Sequence, residues 1–280
     1  MSEESKTRAM SGLALRWATG VVLAGAVLAL ALWPPPQVLV AVFALVAGVG
    51  AWEYDRLVLP HDGGARRWLL ALFAADVVLA ALLGPGAVTA ALGIGLLLLL
   101  ASELSGPGQP AELWQRLALR GFGLLYLGGL FTCLMLVHLR GGALYFLMVV
   151  ACVVASDAGG YYAGHLWGKH RMAPRISPRK SLEGLAGGLA LALLVGAVFG
   201  SFLLDSEATW SGIVRGALLG LALGGAGVLG DLLESLIKRA AGAKDSGNLL
   251  PGHGGMLDRV DGLMLAGAVM LLFLESPWLR

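Results

Sequence analysis

Residues 213–239 read IVRGALLGLALGGAGVLGDLLESLIKR, a stretch in which an apolar run passes directly into a polar one. Its first part, 213–230, is almost entirely apolar residues and glycine, as in a helix that crosses a bilayer. The second part keeps its leucines but places Asp231, Glu234, Ser235 and Lys238 at positions i, i+3, i+4 and i+7. That spacing puts the four polar side chains on one helical face. We therefore predict a membrane span that continues as a helix into water and carries a polar stripe there.

The whole chain has the composition of a membrane protein. Of its 280 residues, 58% are hydrophobic and 14% are charged, and the mean hydropathy is +0.79. Soluble domains carry about 25% charged residues, so a water-soluble chain of this length could not cover its surface. Backbone polar groups in lipid must be satisfied within each segment, which predicts helices. The 42 glycines predict close packing of these helices, because small residues let backbones approach.

Nine charge-poor segments approach the roughly 20 residues that a membrane helix needs. They are 17–33, 37–53, 68–84, 86–102, 121–138, 143–157, 185–204, 213–230 and 262–276. With a cytoplasmic N-terminus, 17 of the 20 Lys and Arg residues fall in inside segments, as the positive-inside rule requires. We predict an all-α integral membrane protein, a polytopic helical bundle of about nine transmembrane helices with its N-terminus in the cytoplasm. We interpret the first run as a span rather than a cleaved signal peptide.

This orientation puts the two longest polar segments, 157–184 and 231–261, on the same cytoplasmic side. We expect them to build one site that faces the cytosol. The chain is then a single membrane domain, 1–280, in which 1–156 supplies N-terminal spans and 157–280 is the catalytic part. Asp76 is the one acid well inside a predicted span, and it is open whether it is functional or makes a polar contact between helices.

The second polar segment combines acids, bases and glycines. Asp231 and Asp258, with Asp261 and Asp245 nearby, offer the hard oxygen ligands that suit Mg²⁺, which is usually held by one or two carboxylates plus substrate phosphates. Four side chains offer positive charge for phosphate oxygens: Lys238, Arg239, Lys244 and Arg259. Around His253, a candidate phosphate donor or acid–base group, glycines allow backbone N–H groups to approach an anion. A basic loop is ordinary beside anionic lipids, but the interleaved acids favour a site for a polyphosphate with metal ions.

The fixed positions of this segment resemble the signature of the phosphatidate cytidylyltransferase (CDP-diacylglycerol synthase) family. They are Ser235-x-x-Lys238-Arg239, Lys244-Asp245, His253-Gly254-Gly255 and Asp258-Arg259-x-Asp261. The first polar segment is also similar to the family: Asp157 ends predicted span six, and 177–184 reads SPRKSLEG where the family has a Ser-Pro-Lys-Lys-Thr-like box. Arg179 replaces a lysine of that box, and the two residues are not equivalent at a bidentate site. The N-terminal spans resemble the family only in being apolar helices.

The resemblance implies that CTP and phosphatidate react to give CDP-diacylglycerol and pyrophosphate in phospholipid biosynthesis. It implies Mg²⁺, with a second cation left open, a bacterial inner membrane with the active site towards the cytoplasm, no nucleic-acid partner, and a homodimer as a further expectation. The implied catalytic residues are Asp231, Asp258, Lys238, Lys244 and His253. The implied metal ligands are Asp231, Asp258 and Asp261. The implied substrate-binding residues are Asp157, Ser177, Lys180, Ser235, Arg239, Arg259, Gly254 and Gly255.

Three alternatives are weighed against this interpretation. A CDP-alcohol phosphotransferase needs Asp-Gly-x-x-Ala-Arg, and residues 62–66 are one residue short of it. A transporter or scaffold with regulatory charged loops would place polar groups near the bilayer midplane, often in repeats, whereas here they gather at one face. A cytidylyltransferase that acts on another lipid phosphate would have a similar headgroup site, and the sequence does not separate it from the first interpretation.

Overall fold

A computed structural model describes residues 25–32, 35–62, 64–204, 210–247, 249 and 254–276. Its regular structure is helical apart from one short β-hairpin. In chain order the elements are α1 (25–32), α2 (Pro36–Val58), α3 (Gly64–Ala80), α4 (Pro85–Leu104), α5 (Pro110–Gly123), α6 (Leu130–Leu136), α7 (Ala143–Trp167), β1 (Arg171–Ala173), β2 (Ser177–Ser181), α8 (Leu182–Leu203), α9 (Trp210–Ala240) and α10 (Leu257–Glu275). Two π-helical segments, Leu124–Gly129 and Val137–Gly141, make α5 and α6 parts of one long helix.

Six helices of the described chain are long and apolar enough to cross a membrane. They are α2, α4, the composite helix Pro110–Gly141, α7, α8 and α9. The prediction of a helical membrane fold is thus confirmed in outline. Of the other predicted spans, α3 has 17 residues, α10 begins with a charged first turn, and 17–33 falls largely outside the described residues.

Prolines and a glycine mark the boundaries of the N-terminal helices. Helix α2 begins at Pro36 and α4 at Pro85, the first-turn positions at which a missing N–H costs nothing. Gly84 has φ 108°, a backbone conformation that favours glycine. It follows a 3₁₀ turn, Ala81–Leu83, that joins α3 to α4, so residues 68–102 form two separate helices.

The first polar segment contains more regular structure than predicted. Span six was expected to end at 157, but α7 continues to Trp167. The remainder of that segment forms an antiparallel hairpin in which Arg171 pairs with Ser181 and Ala173 with Ser177. In the second segment, α9 runs on to Ala240 as predicted. Helix α7 continues beyond its apolar run because Gly159 and Gly164 still pack closely on α8.

Glycines bring α7, α8 and α9 into backbone contact. A Cβ atom at Gly188 of α8 would lie 2.5 Å from the Ser156 carbonyl oxygen of α7. A Cβ atom at Gly216 of α9 would lie 2.4 Å from the Gly196 carbonyl oxygen of α8. Only glycine permits such approaches, so the predicted use of glycine for tight packing is confirmed. These three helices, joined by the hairpin, form the frame of the candidate site.

A buried ion network fastens the N-terminal helices together. Arg120 of α5 is fully buried, and its guanidinium donates to Asp55 of α2 (Nε to Oδ1, 2.8 Å), to Asp62 (2.6 Å) and to Glu103 of α4. Arg116 also pairs with Glu103, at 3.0 Å. Both arginines were counted among the Lys and Arg residues of the predicted inside segments, and the structure places both in α5, where together they bind acids from three other segments.

Candidate active site

The candidate site lies where α7, the hairpin, α8 and α9 meet. A cavity of about 590 Å³ opens there, large enough for a small polar ligand. Its walls carry three of the predicted site residues, Asp157, Lys180 and Asp231, together with Arg171 and Arg179 of the hairpin. Residues from both polar segments therefore border one space, as predicted.

Three carboxylates gather at one edge of this region. One oxygen each from Asp231, Glu234 and Asp261 lies within 4.8 Å of the others. The i, i+3 spacing on α9 brings the first two together, and α10 supplies the third. Helices α9 and α10 can come this close because residue 230 is glycine. A Cβ atom at that position would lie only 2.4 Å from the Asp261 carbonyl oxygen. A cluster of hard oxygen atoms of this kind suits a divalent cation.

The charges in the cluster are not balanced internally. Glu234 is 1% exposed, and its Oε1 has no hydrogen-bond partner among the described residues. Burial, followed by the nearby Asp231 carboxylate, raises the pKa of Asp261 above its usual range. Neighbouring buried carboxylates oppose each other's ionisation, and a cation between them would remove that cost.

Lys238 joins this cluster to the start of α10. Its Nζ lies 2.5 Å from Glu234 Oε2, one turn earlier on α9, and 2.6 Å from Asp258 Oδ1. Ser246 donates to Asp258 Oδ2 through both its backbone N–H (3.0 Å) and its hydroxyl (2.9 Å), and the Gly255 N–H donates to the same oxygen (2.9 Å). Burial alone would raise the pKa of Asp258, but hydrogen bonding with Glu234 and Lys238, followed by the backbone N–H groups of Gly255 and Ser246, outweighs burial and holds the pKa below its usual range.

Asp258 is not one of the three clustered carboxylates, and its implied role as a metal ligand stays a prediction. Glu234, which was not among the predicted metal ligands, is one of the three. The sequence carried the signal for it, because Glu234 shares the polar face of Asp231, but surface acids that pair with lysine are common and the spacing alone could not separate the two cases.

The hairpin brings a second lysine to the site. Lys180 of β2 lies 2.5 Å from Asp231 Oδ2, and the Ser235 hydroxyl donates to Asp231 Oδ1 at 3.3 Å. Arg239 donates to the carbonyl oxygen of Ile176 in the hairpin turn (3.4 Å) and thereby ties the hairpin to the end of α9. Ser177 opens β2. These contacts place Lys180, Ser235 and Asp231 together.

The remaining predicted residues lie further along the second segment. Lys244 and Arg259 are exposed, and Gly255 is buried beside Asp258. Gly254 has φ 81°, which explains why glycine stands there. His253 lies outside the described residues. Arg171 had no role assigned from the sequence, and Arg179 had only the place of a lysine in the Ser-Pro box, but the fold puts both in the cavity wall.

Comparison with known proteins identifies the family. A family model described as "Cytidylyltransferase family" matches residues 14–276, nearly the whole chain. Proteins named phosphatidate cytidylyltransferase are similar to the chain: one from Mycobacterium bovis is 45% identical over 46% of this chain and 41% of its own length. One from Haemophilus influenzae is 43% identical over 45% of this chain and 43% of its own length, and one from Brucella suis is 40% identical over 63% and 61%.

The chain thus spans less than two thirds of the length of each of these relatives. The family model, by contrast, extends across both the N-terminal helices and the site-bearing helices α7 to α10. On the strength of that match and of the residues gathered at the cavity, the chain belongs to the cytidylyltransferase family.

Proposed function

We propose that this protein transfers the cytidylyl group of CTP to phosphatidate, giving CDP-diacylglycerol and pyrophosphate. The observation that carries the proposal is the convergence of Asp231, Glu234 and Asp261 with Lys180 and Lys238 beside one cavity. These residues come from the hairpin, α9 and α10. The similar proteins named phosphatidate cytidylyltransferase support the same substrates.

The chemistry requires two anions to meet. A phosphate oxygen of phosphatidate attacks the α-phosphorus of CTP, a new P–O bond forms, and the bond to the β-phosphate bridging oxygen breaks. The electron pair of that bond leaves with pyrophosphate. The attacking phosphate is already an anion at neutral pH, so charge stabilisation matters more than a strong base. Lys180, Lys238, Arg171 and Arg179 are the described cations at or beside the cavity that would hold phosphate oxygens.

We propose that Asp231, Glu234 and Asp261 hold Mg²⁺. Their carboxylates are clustered, and the buried Oε1 of Glu234 lacks a partner among the residues that the structure describes, so the donor set fits a hard divalent cation. Bound Mg²⁺ would neutralise phosphate charge at the attacking and leaving oxygens. Asp258 would orient Lys238 instead of binding the metal. A second cation and a homodimer stay predictions.

We also propose that the bundle has about nine spans in a bacterial inner membrane, with its N-terminus and this site towards the cytoplasm. The distribution of Lys and Arg supports this orientation. The site lies near the end of α7 and the start of α10. Arg140, just before α7, and Glu275, at the end of α10, pair at the other ends of these two helices. Phosphatidate would reach the site from the membrane and CTP from the cytosol.

The experiment is transfer of label from α-³²P-CTP into lipid by the purified protein, with phosphatidate and Mg²⁺. Label should enter lipid only when both are present and should be lost with EDTA. Asp261→Asn should abolish transfer, whereas Glu275→Gln, at the far end of α10, should not change it. Transfer to another lipid phosphate but not to phosphatidate would contradict the proposed substrate. A folded protein that transfers label to no acceptor would refute the enzyme and favour a transporter or scaffold.

A further inference from the structure

A buried carboxylate of the N-terminal half reaches the second polar segment. Glu53 of α2 is 3% exposed, and its Oε2 accepts a hydrogen bond from the backbone N–H of Leu257 at 3.0 Å. Leu257 is fully buried and is the first residue of α10. The next residue is Asp258, which holds Lys238. Two residues 204 positions apart in the chain thus meet one residue away from the site.

Helix α10 needs an acceptor at this point. The first N–H groups of a helix have no partner within it, and Met256, which precedes α10, makes no side-chain cap. A carboxylate at a helix N-terminus also interacts favourably with the helix dipole. Glu53 therefore supplies from α2 the cap that the local sequence of α10 lacks, and α10 in turn gives a buried glutamate a donor.

The loop before α10 closes around the same carboxylate. A Cβ atom at Gly247 would lie 2.7 Å from Glu53 Oε1, and a Cβ atom at Gly255 would lie 2.7 Å from Glu53 Oε2. Ser246, next to Gly247, and Gly255 are the residues whose N–H groups donate to Asp258. The backbone that packs against Glu53 is therefore the backbone that fixes Asp258.

We infer that Glu53 is a positioning residue for nucleotidyl transfer: it anchors Ser246–Gly247 and Gly255–Leu257 so that Asp258 keeps Lys238 in place. The inference rests on the proposed function and deepens it, because it assigns to the N-terminal bundle a part in shaping the site. Glu53 itself touches neither the cluster of three carboxylates nor, among the described contacts, Lys238. Its effect on the reaction passes through Asp258.

The test compares Glu53→Ala and Glu53→Gln with the control Glu275→Ala, using steady-state kinetics and hydrogen–deuterium exchange of the purified protein. Glu53→Ala should lower kcat by about tenfold to a hundredfold, as misplacement by about 1 Å can, while KM for CTP changes by a smaller factor. Amide exchange should accelerate in peptides that contain Ser246–Gly247 and Leu257. Glutamine keeps an oxygen that can accept from the Leu257 N–H, so Glu53→Gln should restore much of the protection and of kcat.

Amide hydrogen–deuterium exchange tests the anchoring by Glu53 independently of the proposed function, because it does not depend on activity. If the wild-type protein transfers no label, the proposed function fails, and faster exchange at Leu257 in Glu53→Ala still tests the anchoring. Wild-type kcat together with wild-type exchange in Glu53→Ala would overturn the inference, and so would equal loss of kcat in the Gln and Ala variants. Should Glu53→Ala fail to fold, Gly247→Ala replaces it, because its new Cβ displaces the same carboxylate. Unchanged kcat and exchange in that variant would refute the anchoring.

Discussion

Replacing Gly216 by alanine tests whether backbone contact between α8 and α9 holds the frame of the site. The new Cβ would lie 2.4 Å from the Gly196 carbonyl oxygen and 2.5 Å from Gly200 Cα, and ordinary contacts begin at 3.4 Å. The obstacles are backbone atoms, so the two helices must separate by about 1 Å, and overpacking of this kind costs about 1–3 kcal/mol. The better helix propensity of alanine, about 1 kcal/mol, offsets part of that cost.

The assay is the fraction of protein that stays folded in detergent after heating, with Gly225→Ala as the matched control. Gly225 lies on the same helix, and a Cβ there would meet only a Leu189 methyl group at 3.8 Å. We expect Gly216→Ala to lower the midpoint temperature of unfolding by several degrees. A loss of about 1 kcal/mol in the free energy of unfolding lowers that midpoint by about 2–4 °C in a chain of about 150–250 residues. Gly225→Ala should leave the midpoint unchanged or raise it. Equal midpoints in the two variants would refute the packing argument.

Three further predictions concern charge. Lys238→Met leaves the carboxylates of Glu234 and Asp258 without their lysine, so it should destabilise the fold by about 3–5 kcal/mol and abolish transfer; a wild-type unfolding midpoint would contradict this. Glu234→Gln should raise the Mg²⁺ concentration needed for half-maximal transfer by at least about tenfold, because removing groups that support a metal typically weakens its binding by that much or more. An unchanged Mg²⁺ titration would exclude Glu234 as a ligand. Arg120→Met removes the buried cation that Asp55, Asp62 and Glu103 share, so the free energy of unfolding should fall by about 3–5 kcal/mol and the unfolding midpoint should fall with it, whereas Arg56→Met, at an exposed position, should change neither.

The sequence predicted the helices of the site better than their ends. Apolar runs located α8 and α9 within a few residues, because burial in lipid demands uninterrupted apolar side chains. The same logic placed the end of span six at Asp157, ten residues too early, because a helix that packs through Gly159 and Gly164 on α8 needs no lipid around it. The hairpin that carries Lys180 was missed, since its five-residue strand lies in a polar, basic run without alternating apolar residues.

Contacts between distant segments were beyond the reach of sequence patterns. The i, i+3 and i+4 spacings correctly put Asp231, Glu234 and Ser235 on one face, because helix geometry fixes which neighbours meet. No local pattern shows that Asp258 points to Lys238 and Ser246 rather than to the other acids. That choice depends on how α10 leaves its loop, which is a property of tertiary packing.

The distribution of charge gives the site a direction. Three acids lie together on α9 and α10, at Asp231, Glu234 and Asp261, and the arginines of the hairpin line the cavity that Asp231 also borders. Lys180, which contacts Asp231, stands at the boundary between them. A polyphosphate is repelled by the acidic side unless a cation lies there, and it is attracted by the basic side without one. Under the proposed function we therefore expect a nucleotide to enter with its phosphates towards the hairpin, and a divalent cation to join those phosphates to α9 and α10.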